Sequence, residues 1–266
     1  MATARVGVFG GSGFYKFLED AREEWVETPY GAPSDKVVLG KVEGVDVAFL
    51  PRHGRDHRIP PHRINYRANV HAMKTLGVEA IFGPSACGSL QPDIHPGDFV
   101  ICDQFVDRTS GRADTFYDGP VVTHVSSAEP YCPILRAHAI AVCRAHGIRV
   151  HESGTCVTIQ GPRFSSTAES RWFTQMGWHV VNMTQYPEAI LARELEIPYV
   201  NLSVVTDHDA GLIADGSVPA VTTADVVATF GASLERLRAA LFQMIGTLPD
   251  VTESPARTAL ASARFV

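Results

Sequence analysis

Thr206-Asp207-His208-Asp209-Ala210-Gly211 directly follows the run Tyr199-Val200-Asn201-Leu202-Ser203-Val204-Val205. Two carboxylates, two positions apart, therefore stand at the C-terminal end of a buried strand, where an open α/β sheet holds its ligand. Alternate residues of an extended segment point the same way, so both acids are expected on one side of a pocket. Paired acids there can share a proton or grip two neighbouring nitrogens of a heterocycle, which points to proton delivery to a nitrogenous base. Asp is also a common turn and cap residue, and this segment alone leaves both readings open.

Five other strand ends carry groups of the same kind. Gly10-Gly11-Ser12-Gly13 follows the strand Val6-Gly7-Val8-Phe9; its glycines let backbone N–H groups approach an anion, and Ser12 adds a hydroxyl. It matches neither G-x-G-x-x-G nor the P-loop, and a plain tight turn remains open. Arg52-His53-Gly54-Arg55 offers a planar fork of donors for phosphate, with His53 expected to donate beside it. Gly83-Pro84-Ser85-Ala86-Cys87-Gly88 is read as a strand-end loop of small donors. Cys87 has no adjacent basic partner and is read as a packed thiol rather than a nucleophile. In Gly161-Pro162-Arg163-Phe164-Ser165-Ser166, Phe164 can stack on a flat base and Ser165 can bond its edge. Thr184, after Asn182-Met183, adds an anion donor or merely caps a helix.

The elements that must position these groups alternate. Val37-Val38-Leu39 and residues 45–50 are expected as a hairpin about Gly44. A helix is expected over residues 64–76, then strands at 80–82 and 99–102. Pro133 opens a helix that Gly147 closes. Further strands follow at 156–159 and 180–181, and a helix begins at Pro187. Thr222 and Asp225 form a capping box ahead of a long helix carrying Leu234, Leu237, Leu241 and Ile245. The pattern is one α/β domain over residues 1–250, with a polar, Ala-rich tail over 251–266 whose order the sequence leaves open.

Of the 266 residues, 45% are hydrophobic and 20% charged, with a net charge of -6 and no Lys/Arg-rich run. A nucleic-acid or anionic-membrane surface is not expected, and no apolar run approaches the ~20 residues of a membrane span. The five cysteines, odd in number and without zinc-pair or C-x-x-C spacing, suggest core thiols in a reducing cytoplasm. The eleven histidines show no metal-ligand spacing, so no metal is expected.

Taken in order, these segments resemble the S-methyl-5'-thioadenosine phosphorylases of the trimeric purine nucleoside phosphorylase family. The likeness spans roughly residues 5 to 245. Besides the segments above it includes Ala86-Cys87-Gly88-Ser89-Leu90, Pro96-Gly97-Asp98, Asp107-Arg108-Thr109, Phe116-Tyr117-Asp118-Gly119, Ala168-Glu169-Ser170 and Pro187-Glu188. The resemblance implies a single α/β domain with a central mixed sheet flanked by helices. It implies phosphorolysis: inorganic phosphate displaces adenine from methylthioadenosine, giving adenine and 5-methylthioribose 1-phosphate, with no further cofactor. Ser12, Arg52, His53, Ser85, Thr184 and the Ala86 N–H would hold phosphate. Asn182 and Met183 would lie at the ribose; Ala86, Cys87 and Phe164 would line the base and sugar pocket. Ser165, Asp207 and Asp209 would face adenine, with the two aspartates catalytic. Val226 and Val227 would cover the methylthio group, and His124 would reach a neighbouring subunit's pocket in a homotrimer.

Ser165 and Asp207 favour a 6-aminopurine, because the 6-oxopurine members carry Glu and Asn at those positions. His208, Gln185-Tyr186 and residues 210–219 depart from the family pattern; His208 is read as structural, and the 210–219 loop leaves the 5' substituent open. Related phosphorylases acting on 5'-deoxyadenosine, 5'-halo-adenosine or methylthioinosine remain alternatives, as do a hydrolytic nucleosidase and a non-catalytic nucleotide-binding module.

Overall fold

The computed structural model describes residues 4–10, 18–210 and 221–264. Ser12 and most of the 210–219 loop lie outside the described residues. The first strand, β1 (Val6–Gly10), is buried at every position, so both of its faces need cover. β2 (Glu19–Glu24) precedes β3 (Val37–Val42) and β4 (Val45–Pro51), an antiparallel hairpin. Its two turn residues, Glu43 and Gly44, both have positive φ, the signature of a tight hairpin turn. α1 (Tyr66–Thr75) starts at Asn65, whose side chain accepts from the Ala68 N–H; β5 (Ala80–Ser89) follows. β6 (Phe99–Val100), β7 (Gln104–Arg108), α2 (Pro133–Ala145), β8 (Val150–His151) and β9 (Thr155–Ile159) come next. The chain continues through α3 (Thr167–Gln175), β10 (Val180–Asn182), α4 (Gln185–Glu194), β11 (Tyr199–Asp207) and α5 (Thr223–Gly246).

The described strands form one mixed 11-stranded sheet, in the order β2-β3-β4-β1-β5-β10-β9-β7, with β11 beside β5 and β6. The helices cover both faces, and the period of two along each strand decides which layer a residue joins. In β11, Tyr199 and Val205 join Val70 and Met73 of α1 and Leu191 of α4. The intervening Val200, Leu202 and Val204 join Leu135 of α2 and Leu237, Leu241 and Ile245 of α5. The Thr222–Asp225 capping box forms as read from the sequence.

β5 branches the sheet. On one edge its first residues pair with β1, through Ala80, Ile81 and Phe82, and its last pair with β10, through Gly88 and Ser89. The other edge pairs with β11 from Ile81 to Gly88. Between the β1 and β10 contacts the sheet splits, leaving one edge of residues 83–87 without a neighbouring strand among the described residues. This corrects the reading of residues 83–88 as a strand-end loop: they continue the strand, alongside β11. The strand expected at 99–102 shortens to two residues. After Asp250 the chain packs back: Val251, Ala256 and Ala263 are buried, and Arg264 bridges to Thr123.

Candidate active site

The split in the sheet opens a cavity of about 690 Å³ bounded by Arg52, Ser85, Phe164, Met183, Asp207 and Val226, among others. That volume suits a small-molecule ligand. The ends of β4, β5, β9, β10 and β11 meet there, so groups far apart in sequence converge. Among the described residues, Arg52, His53, Ser85, Ala86, Cys87, Phe164, Asn182, Met183, Thr184, Asp207, Asp209, Val226 and Val227 all border it. Ser165 stands behind Asp209 rather than at the cavity wall. His124 is exposed and away from this cavity, its N–H bonded to Ala263 O. Ser12 lies outside the described residues.

Arg52 is buried, and its Nε and Nη2 donate to Glu188 at 2.6 and 2.7 Å. Nη2 also donates to Phe9 O, and Nη1 to Pro84 O. Among the described residues four of the five N–H donors are thus engaged, and one on Nη1 has no partner. Burial alone would lower the Arg52 pKa, but the Glu188 carboxylate outweighs it and holds the guanidinium charged. Glu188 also accepts from Tyr199 Oη at 2.7 Å. The Tyr199 ring lies across Gly83, where any Cβ would collide with its hydroxyl.

His53 differs from its expected donor role. Its Nδ1 lies 2.9 Å from Ile59 O; a carbonyl only accepts, so Nδ1 carries the proton. Burial drives its pKa down to about 4, so near neutrality Nε2 bears a lone pair. His53 can then accept from a protonated phosphate oxygen, and it donates only after taking up a proton itself. The His57 ring stacks on it at 4.2 Å.

At the other end, Asp207 Oδ1 accepts the Asp209 N–H at 2.8 Å and lies against Gly88, where a Cβ would meet it at 2.8 Å. A backbone N–H only donates, so Oδ2 is the oxygen able to hold a proton. It lies 2.7 Å from Thr206 Oγ1, a hydroxyl that also reaches Cys87 O at 3.2 Å. Burial raises the Asp207 pKa against the pull of both hydrogen bonds. The strand ends at Asp207, and Asp209 has φ 52°. A left-handed turn, not strand alternation, thus brings the second acid to the cavity. Burial also raises Asp209, and the Ser170 and Ser165 hydroxyls beside it counter this only in part. Asp209 Oδ2, Ser165 Oγ and Ser170 Oγ are buried without a hydrogen-bond partner. Of the three, only Asp209 borders the cavity, where a ligand or water can satisfy its Oδ2. His208 turns away toward His95, 6.0 Å between ring centroids.

Cys87 is buried, and desolvation pushes its thiol well above the ordinary range, so it supplies no thiolate at neutral pH. Among the described residues no group of three or more His, Cys, Asp or Glu could hold a metal, and no helix is long and apolar enough to cross a membrane. Several wall residues escaped the sequence reading: His57, Thr206 and Phe230 at the cavity, and Ser170 and Glu188 behind it. Pro187-Glu188 stood among the quoted segments, but nothing in the sequence joined it to Arg52.

Comparison with known proteins identifies the chain's relatives. The chain is 50% identical to the purine nucleoside phosphorylase of Streptomyces coelicolor, over 92% of this chain and 90% of that one. It is 46% identical to the S-methyl-5'-thioadenosine phosphorylase of Thermofilum pendens over 99% of each. The structure of methylthioadenosine phosphorylase from Schistosoma mansoni with adenine superposes with a TM-score of 0.92 at 38% identity. That match covers 98% of this chain and 99% of that one. The model of the phosphorylase superfamily matches residues 5–246, and the chain belongs to that superfamily.

Proposed function

We propose that this protein catalyses phosphorolysis of S-methyl-5'-thioadenosine to adenine and 5-methylthioribose 1-phosphate, a step of purine and methionine salvage. The observation that carries the reading is one cavity with an anion end and an acid end. Arg52, His53, Ser85 and Thr184 stand at the first, Asp207 and Asp209 at the second. Breaking a glycosidic bond builds positive charge on the sugar and negative charge on the departing purine. Phosphate beside C1' stabilises the first. A proton or strong hydrogen bond to purine N7 from Asp207 relieves the second. Burial raises the Asp207 pKa, which favours the protonated form that this donation needs. Asp209, whose Oδ2 is left without a partner, accepts from the exocyclic 6-amino group or helps share that proton. Phe164 stacks on the base, Met183 and Asn182 border the ribose, and Val226 and Val227 on α5 cover the 5' group.

In this reading phosphate is a co-substrate and no other cofactor takes part. The protein works as a cytoplasmic homotrimer in which His124 completes a neighbouring cavity. Support comes from the exposed Val121 and Val122 close by His124, which a partner subunit would cover, and from five free cysteines. The Streptomyces coelicolor relative's description as a purine nucleoside phosphorylase keeps a second reading, in which a related purine nucleoside is the substrate. The test is adenine release from methylthioadenosine with and without phosphate, beside inosine, methylthioinosine and 5'-deoxyadenosine. Release that persists without phosphate overturns phosphorolysis; faster turnover of inosine overturns the substrate.

A further inference from the structure

Ser85 Oγ receives two hydrogen bonds from buried amides: Asn182 Nδ2 at 3.2 Å and Asn201 Nδ2 at 3.1 Å. Neither amide can be turned round. Asn201 Nδ2 also donates to Gly83 O at 2.9 Å, while its Oδ1 accepts the Ser203 hydroxyl at 2.6 Å. Asn182 Oδ1 faces the Thr184 and Gln185 backbone N–H groups at 3.4 and 3.3 Å, which only donate. A serine oxygen has two acceptor sites and one proton. Both acceptor sites are filled, and among the described residues no acceptor takes the proton. Ser85 borders the cavity, so its O–H is left to point there.

We propose that Asn201 is a positioning residue: with Asn182 it saturates the acceptor sites of Ser85 and fixes that hydroxyl as an obligate donor to an oxyanion in the cavity. Asn201 is wholly buried and does not border the cavity, so its effect on a ligand passes through Ser85. This rests on the proposed phosphate site. A serine held in this way gives up no other hydrogen bond when it donates to the anion, whereas a freely rotating hydroxyl must first be ordered. It also discriminates: a group that can only donate toward Ser85, such as an ammonium, finds no acceptor there.

The experiment is steady-state kinetics of Asn201→Leu, Ser85→Ala and the double variant, with phosphate and methylthioadenosine varied separately. Asn201→Leu is expected to raise the phosphate KM about tenfold and leave the nucleoside KM within about twofold, the size of one lost positioned donor. In the Ser85→Ala background it is expected to add nothing to the phosphate KM, because the two residues then form one coupled unit. A general packing defect would move both KM values and add fully in the double variant, and that result overturns the proposal. Should Asn201→Leu fail to fold, neutron diffraction of the wild-type protein with inorganic phosphate decides the point. A Ser85 deuterium directed at a phosphate oxygen supports the assignment, and one directed at either amide overturns it. Wild-type adenine release without phosphate would sink the phosphorolysis reading instead. A phosphate-dependent wild type with an unchanged phosphate KM in Asn201→Leu would sink only the role of Asn201.

Discussion

At the anion end of the cavity, Arg52 is locked by Glu188, Phe9 O and Pro84 O, and Ser85 is held by two amides. At the base end, Asp209 Oδ2 and the hydroxyls of Ser165 and Ser170 lie buried with no bond completed, and Val227 of α5 is 66% exposed. The first end is wired before a ligand arrives; at the second Asp207 is bonded to Thr206 and the Asp209 N–H, while Asp209 Oδ2 keeps an unfilled site at the cavity. A phosphate is the same in every reaction cycle and rewards a rigid cradle. In the proposed reaction a nucleoside must enter, react and leave as two products, and Asp209 Oδ2 is an acid oxygen left uncommitted for it. The difference places catalytic preorganisation at the nucleophile and selectivity at the base and 5' group.

Substitutions can break that contrast. The largest effect is expected from Asp207→Asn, which removes the proton Oδ2 can hold and should lower turnover about 10²–10⁴-fold. With a raised Asp207 pKa, wild-type kcat/KM should fall as pH rises through that pKa and the carboxyl ionises; Asp207→Asn should lose this limb. Stopped assays of adenine formation across pH check both. Next is Glu188→Gln. It leaves Arg52 charged and buried without its counter-ion, so denaturant unfolding should show a loss of about 3–5 kcal/mol.

At the softer end, Val226→Ala should raise KM for methylthioadenosine several-fold, in line with the roughly 1–3 kcal/mol that a methylene contact contributes to discrimination. It should leave KM for 5'-deoxyadenosine, which lacks the methylthio group, nearly unchanged, and thermal stability should not move.

The last comparison concerns acid. The His53 pKa is depressed from 6.5 to about 4, so above about pH 6.5 folded and unfolded chains both hold it neutral. As pH falls from there toward 4, only the unfolded chain takes up the proton. Stability is lost over that window, by at most roughly 3 kcal/mol. Asp207 and Asp209, with raised values, act in the opposite sense. The difference between wild type and His53→Gln therefore isolates the histidine. An identical acid profile in the two proteins would refute the neutral, Nδ1-protonated assignment.

The sequence revealed elements set by local chemistry. The Thr222–Asp225 box, the Pro133 start of α2 and the Glu43–Gly44 turn were legible because each signal and its effect lie within a few residues. β5 was misread because Gly83-Pro84-Ser85 carries turn residues. Ile81 N–H bonds to Pro198 O on the β11 side, so alternation turns Pro84 toward the open edge, where a missing N–H costs no ladder bond. Arg52 and Glu188 lie 136 positions apart, and only the fold could pair them. His53 looked like a donor until Ile59 O claimed its proton. A signal for Asn201 and Ser203 was present: two polar residues inside an otherwise apolar strand, where an unpaired amide would be costly. The aspartates were found by their order in sequence, although a turn rather than strand alternation delivers the second one.

The split along β5 has a consequence for exchange with solvent. The same alternation that turns Pro84 outward turns the Ala86 N–H toward the gap between β1 and β10, where no strand accepts it. An oxyanion lodged there would take that hydrogen bond and act as a surrogate rung of the ladder. Deuterium uptake at the Ala86 amide would then slow when phosphate binds, while Ile81, already bonded to Pro198, would keep its rate. The sheet itself would register occupancy of the cavity.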